Sequence, residues 1–232
     1  MPDRTSSARG APRGARSLSV AVDVVLFTPR GSELAVLVLP SLRPRSRERW
    51  MLPQDGPRAD ETLEQTGARV ARDAVGVLPS FLGQATTTGG AAKTSDGAQV
   101  TVVFFGLVPA DDVSASDATW TTLSDLPPLP GRQRQSVDTA LAAMRAQVDQ
   151  QPIAFRLLPP SFTLSELQTV YELLLGRRLH KASFRRSLHA SALVEATDEW
   201  RSEGRGRPAQ LFRYAPPRRR KQRRGIRFDL IS

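Results

Sequence analysis

The chain has no cysteine and only two histidines, His180 and His189, in 232 residues. The first absence excludes disulfides, thiolate chemistry and cysteine-held zinc or iron–sulfur sites. The second leaves a His-rich metal site or a Ser-His-Asp triad little to draw on. No apolar run approaches the ~20 residues that a membrane helix needs. The N-terminal stretch MPDRTSSARGAPRGARS lacks the apolar core of a secretory signal. These absences point to a cytoplasmic protein with no membrane partner. Aromatic residues are sparse at 6%, but 40% of the chain is hydrophobic. That suffices for one large domain or two small ones.

The formal net charge is +10, and the isoelectric point lies near 11.2. Such a balance suggests a nucleic-acid partner, yet the charge is unevenly spread. Residues 1–16 hold four Arg and one Asp; residues 216–232 hold six Arg, one Lys and one Asp. Between them, residues 17–149 carry 12 basic and 15 acidic side chains, and residues 150–215 carry 10 basic and 6 acidic. An acidic first part and a basic second part suggest two domains with different partners, flanked by two basic arms. The composition of the arms predicts disorder. The tail cluster Arg218–Arg220, Lys221, Arg223 and Arg224 reads equally as a non-specific phosphate grip or as a solvated, solubilising tail.

Apolar periodicity predicts strands at 17–27, 33–39, 81–87 and 99–109, and a short one at 118–123. Leu18, Val20, Val22, Val24 and Leu26 fall on one face of the first. Asp60 is the expected N-cap of a helix over 61–74, and a second helix is expected over 136–148. Gly89-Gly90 reads as a loop and 124–134 as turn-rich. Alternating strands and helices indicate an α/β domain over 17–149. The remainder changes character. Thr163 and Glu166 form a capping box, whose helix stops at Gly176. A second short helix follows over 181–191, then strands at 193–197 and 208–214 around a polar loop. Helix, turn, helix and a hairpin with a basic tip is the order of a winged helix-turn-helix, placed at 150–215.

The segment 50–77 resembles the Nudix box: Gly, five residues, Glu, seven residues, then Arg-Glu-hydrophobic-x-Glu-Glu-x-Gly-hydrophobic. Trp50, Leu52 and Pro53 match its lead-in, and Glu61, Arg69 and Gly76 match its body. Asp55 stands at the opening Gly, and Val70, Asp73 and Ala74 stand where three Glu belong. In a Nudix hydrolase those carboxylates hold a divalent cation against a pyrophosphate. Positions four apart share a helix face, and here that pair is Val70 and Ala74, neither with an oxygen ligand. The expectation is a domain with no metal, no cofactor and no catalytic residues. The alternative is a Nudix hydrolase of ADP-ribose-type nucleoside diphosphate derivatives with an unusual metal site. For Glu61 and Arg69, an intradomain ion pair or capping contact is preferred over direct ligand contact. The loop arginines Arg43, Arg45, Arg47 and Arg49 suit bidentate phosphate contact or simple solvation.

The second part resembles the Nudix-related transcriptional regulators of NAD metabolism. The resemblance is carried by Leu157-Leu158-Pro159, Phe162-Thr163-Leu164, Glu166-Leu167-Gln168, Val170-Tyr171-Glu172, Leu175-Gly176, Lys181, Phe184-Arg185-Arg186, Gly206-Arg207-Pro208-Ala209 and Phe212-Arg213-Tyr214. With the box it spans roughly 17–215. It implies a mixed sheet between helices in a Nudix-like fold, followed by an α+β winged helix. It also implies a homodimer on a palindromic operator in double-stranded DNA, regulating NAD biosynthesis or salvage. ADP-ribose or a related NAD metabolite would be the effector, with Arg47, Arg49, Glu61 and Arg69 as candidate contacts. One departure is that the Asp-His pair many members carry after Leu126–Leu129 is replaced by Pro-Gly-Arg-Gln.

A helix-turn-helix presents its second helix to the major groove. On 181–191 the polar candidates are Lys181, Ser183, Arg185, Arg186 and His189, while Phe184 and Leu188, four apart, are expected to pack inward. Arg205 and Arg207 at the wing tip suit a minor groove or a phosphate. A solvated basic helix face, or non-specific binding through the arms alone, are the competing readings.

Overall fold

The computed structural model describes residues 18–41, 49–91, 98–112, 119–202 and 208–215. Seven strands form one mixed sheet: β1 (Leu18–Arg30), β2 (Glu33–Pro40), β3 (Trp50–Met51), β4 (Gln54–Asp55), β5 (Phe81–Ala91), β6 (Ala98–Leu107) and β7 (Thr119–Thr122). The main path runs β3-β2-β1-β6-β5, with β4 paired to β1 and β7 to β2. β1 and β6 are parallel over ten residue pairs, and the other pairings are antiparallel.

Helix α1 (Leu63–Val75) covers one face and α2 (Gly131–Val148) the other. β1 is therefore buried on both sides. Val22, Val24 and Leu26 join Val70, Ala71 and Val75 of α1, while Val25 and Phe27 belong to the core shared with α2. The one-faced alternation expected for this strand is half the picture. A central strand with helices on both faces must be apolar on both.

The second core does not stop at the sheet. It continues through Val137, Met144 and Val148 of α2 into a 3-10 turn (Ile153–Leu157), α3 (Leu164–Leu175), α4 (Lys181–Ser191) and the hairpin β8 (Val194–Arg201)–β9 (Ala209–Tyr214). Phe155 of the 3-10 turn packs its ring against Phe162, Tyr171 and Tyr214 at centroid distances of 5.7, 6.4 and 4.7 Å. One aromatic thus ties together the linker, α3 and the last strand. Among the described residues no helix is long and apolar enough to cross a membrane.

Several boundaries differ from expectation. The N-cap of α1 is Thr62, not Asp60. The Thr62 hydroxyl accepts from the Gln65 amide and the Gln65 side chain accepts from the Thr62 N–H. That reciprocal pair satisfies two orphan donors at once, and it leaves Glu61 outside the helix. Gly89 and Gly90 are not a loop; they lie in β5 opposite Val100 and Gln99. α2 begins at Gly131, inside the stretch expected to be turns. β8 runs on to Arg201, through residues expected to be loop, across a register shift between Ala196 and Trp200. Tertiary pairing supplies the hydrogen bonds that local propensity did not anticipate.

Phe155→Ala is expected to destabilise the protein by about 3–5 kcal/mol. Thr163→Ala, which removes the cap of α3, should cost only about 1 kcal/mol. Urea denaturation of the two variants, compared with the parent chain, measures the difference.

Candidate nucleic-acid interface and effector site

Residues of the Nudix-like box meet around one guanidinium. Arg69 projects from α1 and is nearly buried, at 7% exposure. Its Nη1 donates to Asp55 Oδ2 at 2.7 Å, and its Nε and Nη2 donate to the two carboxylate oxygens of Glu61 at 2.7 and 2.9 Å. Nη2 also reaches the Gly56 carbonyl at 3.0 Å. The fork therefore fastens both the β4 turn and the residue before the helix to α1. Hydrogen bonding from Arg69 pulls the Glu61 carboxyl down to about 2, with help from the Arg58 amide and the Thr66 hydroxyl. The same guanidinium, with the Gly56 amide, lowers Asp55. Asp55 is thus not an idle replacement for glycine but a second counter-charge for a buried cation, which a lone buried guanidinium requires.

Beside this network lies a depression of about 180 Å³ lined by Leu39, Gln54, Val70, Asp73 and Ala74, among others. Val70 is buried in the core. Asp73 is exposed and stands 3.7 Å from Arg72. Gly76 ends α1 at φ +80°, where its N–H donates to the Arg72 carbonyl; only glycine adopts that conformation without strain. A divalent cation in a Nudix site needs several carboxylate oxygens on the helix. Of the α1 carboxylates only Asp73 lines this depression, and Glu61 is committed to Arg69. These residues do not fit such an ion. No group of three or more acidic or histidine side chains suited to a metal occurs among the described residues.

The depression is braced from behind. Buried Gln133 on α2 accepts the Leu52 N–H at 2.9 Å and donates to Gln54 Oε1 at 3.3 Å. Asp23, fully buried in β1, accepts from Ser136 at 3.0 Å and lies 3.9 Å from Arg132. Burial pushes its carboxyl up, only partly offset by Arg132 and Ser136. Neither residue was legible as functional in the sequence, because each matters through a partner some 80–110 positions away. Of the loop arginines, Arg49 is exposed and its carbonyl caps the Ser41 N–H at 2.8 Å. Arg43, Arg45 and Arg47 lie outside the described residues.

In the second half, Phe184 and Leu188 turn into the core of the helix-turn-helix. Lys181, Ser183, Arg185, Arg186 and His189 are all exposed. Neither Arg185 nor Arg186 has an ion-pair partner among the described residues, so the face of α4 is an open cationic surface. Its orientation is fixed by Glu172 and Gln168 on α3. Glu172 accepts from Gln168 at 2.9 Å, from the Leu179 amide at 2.9 Å and from Arg178 at 3.0 Å. Burial raises its carboxyl, but these three donors outweigh that and leave it lowered. Gln168 also donates to the Leu179 carbonyl at 3.0 Å, so both backbone polar groups of Leu179 in the turn are held. The Gln–Glu spacing of four was the available signal for this brace. The hairpin is anchored by Arg201, which donates to the capping-box residue Glu166 at 2.7 Å. Arg205 and Arg207 lie outside the described residues.

Glu61 supplies a pH test. Its folded pKa of about 2 lies below the ordinary 4.5. A lowered carboxylate stabilises the fold above its unfolded pKa, and loses that contribution as pH falls toward the folded value. Glu61→Gln should therefore be less stable than the parent chain at pH 7. The gap should narrow below about pH 4.5 and close near pH 2, as read from denaturation midpoints.

Comparison with known proteins agrees with this geometry. The family model of the NrtR DNA-binding winged helix domain matches residues 154–214. The chain is 30% identical over 203 residues to the ADPR responsive transcriptional repressor NtrR of Acinetobacter baylyi, covering 84% of this chain and 81% of that protein. The crystal structure of Shewanella oneidensis NrtR complexed with a 27mer DNA superposes with a TM-score of 0.73 at 32% identity, over 84% of this chain and 93% of that one. A MutT/nudix family protein from Enterococcus faecalis, at 17% identity and TM-score 0.70 over 86% of this chain and 89% of that one, shares the fold. The Nudix-like sheet with its displaced carboxylates, the exposed basic α4 and a relative matched along most of both chains lead to one assignment: the chain belongs to the NrtR family of Nudix-related transcriptional regulators.

Proposed function

We propose that this protein is a DNA-binding transcriptional regulator of NAD biosynthesis or salvage, acting from the cytoplasm as a homodimer on a palindromic operator. The observation that carries the reading is the unpaired cationic face of α4, set on a winged helix, in a chain 32% identical to a protein solved on DNA. Arg185, Arg186 and His189 meet base edges, with Lys181 and Ser183 at the helix start on the phosphates. Arg205 and Arg207 at the wing serve the adjacent groove. Phosphate contacts set register and base contacts set sequence preference. A single winged helix makes a small, salt-sensitive interface; two on a dimer read half-sites spaced by whole helical turns.

In this reading the Nudix-like part, 17–149, is the sensor and dimer scaffold, and 150–215 is the reader. The relative from Acinetobacter baylyi is an ADPR responsive repressor, and the effector proposed here is ADP-ribose or a related NAD metabolite. Arg47 and Arg49 contact its diphosphate, while Glu61 and Arg69 shape the wall beside it. The box is catalytically inactive, because Val70 and Ala74 leave no cation to stabilise charge on a leaving phosphate.

Arg185→Ala and Arg186→Ala should each weaken binding to the operator by about 1–3 kcal/mol and relax sequence preference. Deleting 1–16 and 216–232 should reduce the salt dependence of binding yet preserve that preference. Fluorescence anisotropy on the gene's upstream region, with and without ADP-ribose, measures both. Unchanged affinity in the two arginine variants would remove α4 as the reading helix. Incubation with magnesium and ADP-ribose should give no turnover above the Asp73→Ala background.

A further inference from the structure

We propose that a second ligand site, for a small phosphate or diphosphate anion, lies between the sheet and the helix-turn-helix. A cavity of about 350 Å³ opens there. Its walls include Glu33 at the start of β2, Arg145 from α2, Glu172 from α3, and Gly176, Arg177 and Arg178 from the α3–α4 turn. Three guanidinium groups therefore face two carboxylates. Both carboxylates are engaged: Glu33 accepts from the Ser124 hydroxyl at 2.7 Å, and Glu172 carries the three hydrogen bonds described above. Arg178 is the one cation of the three with an ion-pair partner among the described residues.

Arg145 is the most telling of the three. Its Nε is buried and has no hydrogen-bond partner among the described residues. A buried N–H left without an acceptor is costly. The guanidinium lies against Gly176, where any Cβ would collide with Nη2. Gly176 holds φ +68° as the cap of α3, so glycine both ends the helix and admits the cation. Two of the carbonyls at this helix end are covered: Glu172 O accepts from the Gly176 and Arg177 amides at 2.8 and 3.2 Å, and Leu173 O from Gly176 at 3.3 Å. Planar guanidinium forks match an oxyanion bidentately. An anion here satisfies Arg145 and Arg177 together. It also bridges the β1–β2 turn to the turn that leads into α4.

This site shares no lining residue with the depression beside the box. It goes beyond the regulatory reading and does not need it, because its test uses no DNA. Full-length protein is titrated calorimetrically with sodium pyrophosphate and, separately, with inorganic phosphate. The two arms separate a diphosphate site from a single-phosphate site. Saturable binding of at least one anion is expected. Arg145→Gln and Arg177→Gln should each weaken it about tenfold or more, as expected for losing a charge-assisted contact. Arg145→Lys, which keeps the charge but loses the planar fork, should weaken it less than Arg145→Gln does. Circular dichroism checks each fold; should Arg145→Gln fail to fold, exposed Arg177→Gln carries the test. No binding of either anion, or binding that the Arg145 and Arg177 variants leave unchanged, overturns the site.

Discussion

Helix α2 is the shared wall on which both halves of this protein depend. Its apolar side closes one face of the sheet through Val137, Ala140, Met144 and Val148, which are essentially inaccessible to solvent. The same core extends without a break to Phe155, Tyr171, Leu174 and Phe184. Its first turns hold the strand and loop beside the box, through Gln133 on Leu52 and Ser136 on Asp23. Its last turns bring Arg145 against Gly176 at the end of α3. Protein interiors are packed too densely for one end of such a helix to shift without the other responding. The two halves therefore share a rigid element rather than a flexible tether.

The box is organised around a fixed positive charge, Arg69, which is covalently part of α1. Asp55 and Glu61 surround it as counter-charges. All four donor bonds are charge-assisted and three of them end on a carboxylate, the strong class. At the three positions where the Nudix box has Glu, Val70 is buried in the core, Ala74 is half-buried and Asp73 is exposed.

The second half holds a short basic helix firmly while exposing it. Isolated helices of this length are marginal in water. α4 is fixed by two buried side chains on one face and by the Glu172–Gln168 clamp on the turn before it. Glu166 does double duty, capping α3 and receiving Arg201 from the hairpin. The cationic face itself then needs no internal partners.

Much of this was legible in the residues. Period-two and period-3.6 apolar patterns located the strands and helices, the capping box set the start of α3, and Phe184 and Leu188 marked the inner face of α4. The box register placed Glu61, Arg69, Val70, Asp73 and Ala74 in one neighbourhood before any coordinates. Those are local signals, and a chain's covalent spacing is enough to carry them. Tertiary structure alone decided that Thr62 rather than Asp60 caps α1, and that Gly89-Gly90 joins a strand. It alone paired Asp55 with Arg69 and put Gln133 behind Leu52 and Arg145 beside Gly176. In each case the deciding partner is supplied by chain folding, not by sequence spacing, and hydrogen bonds between distant segments leave no periodic trace in the sequence.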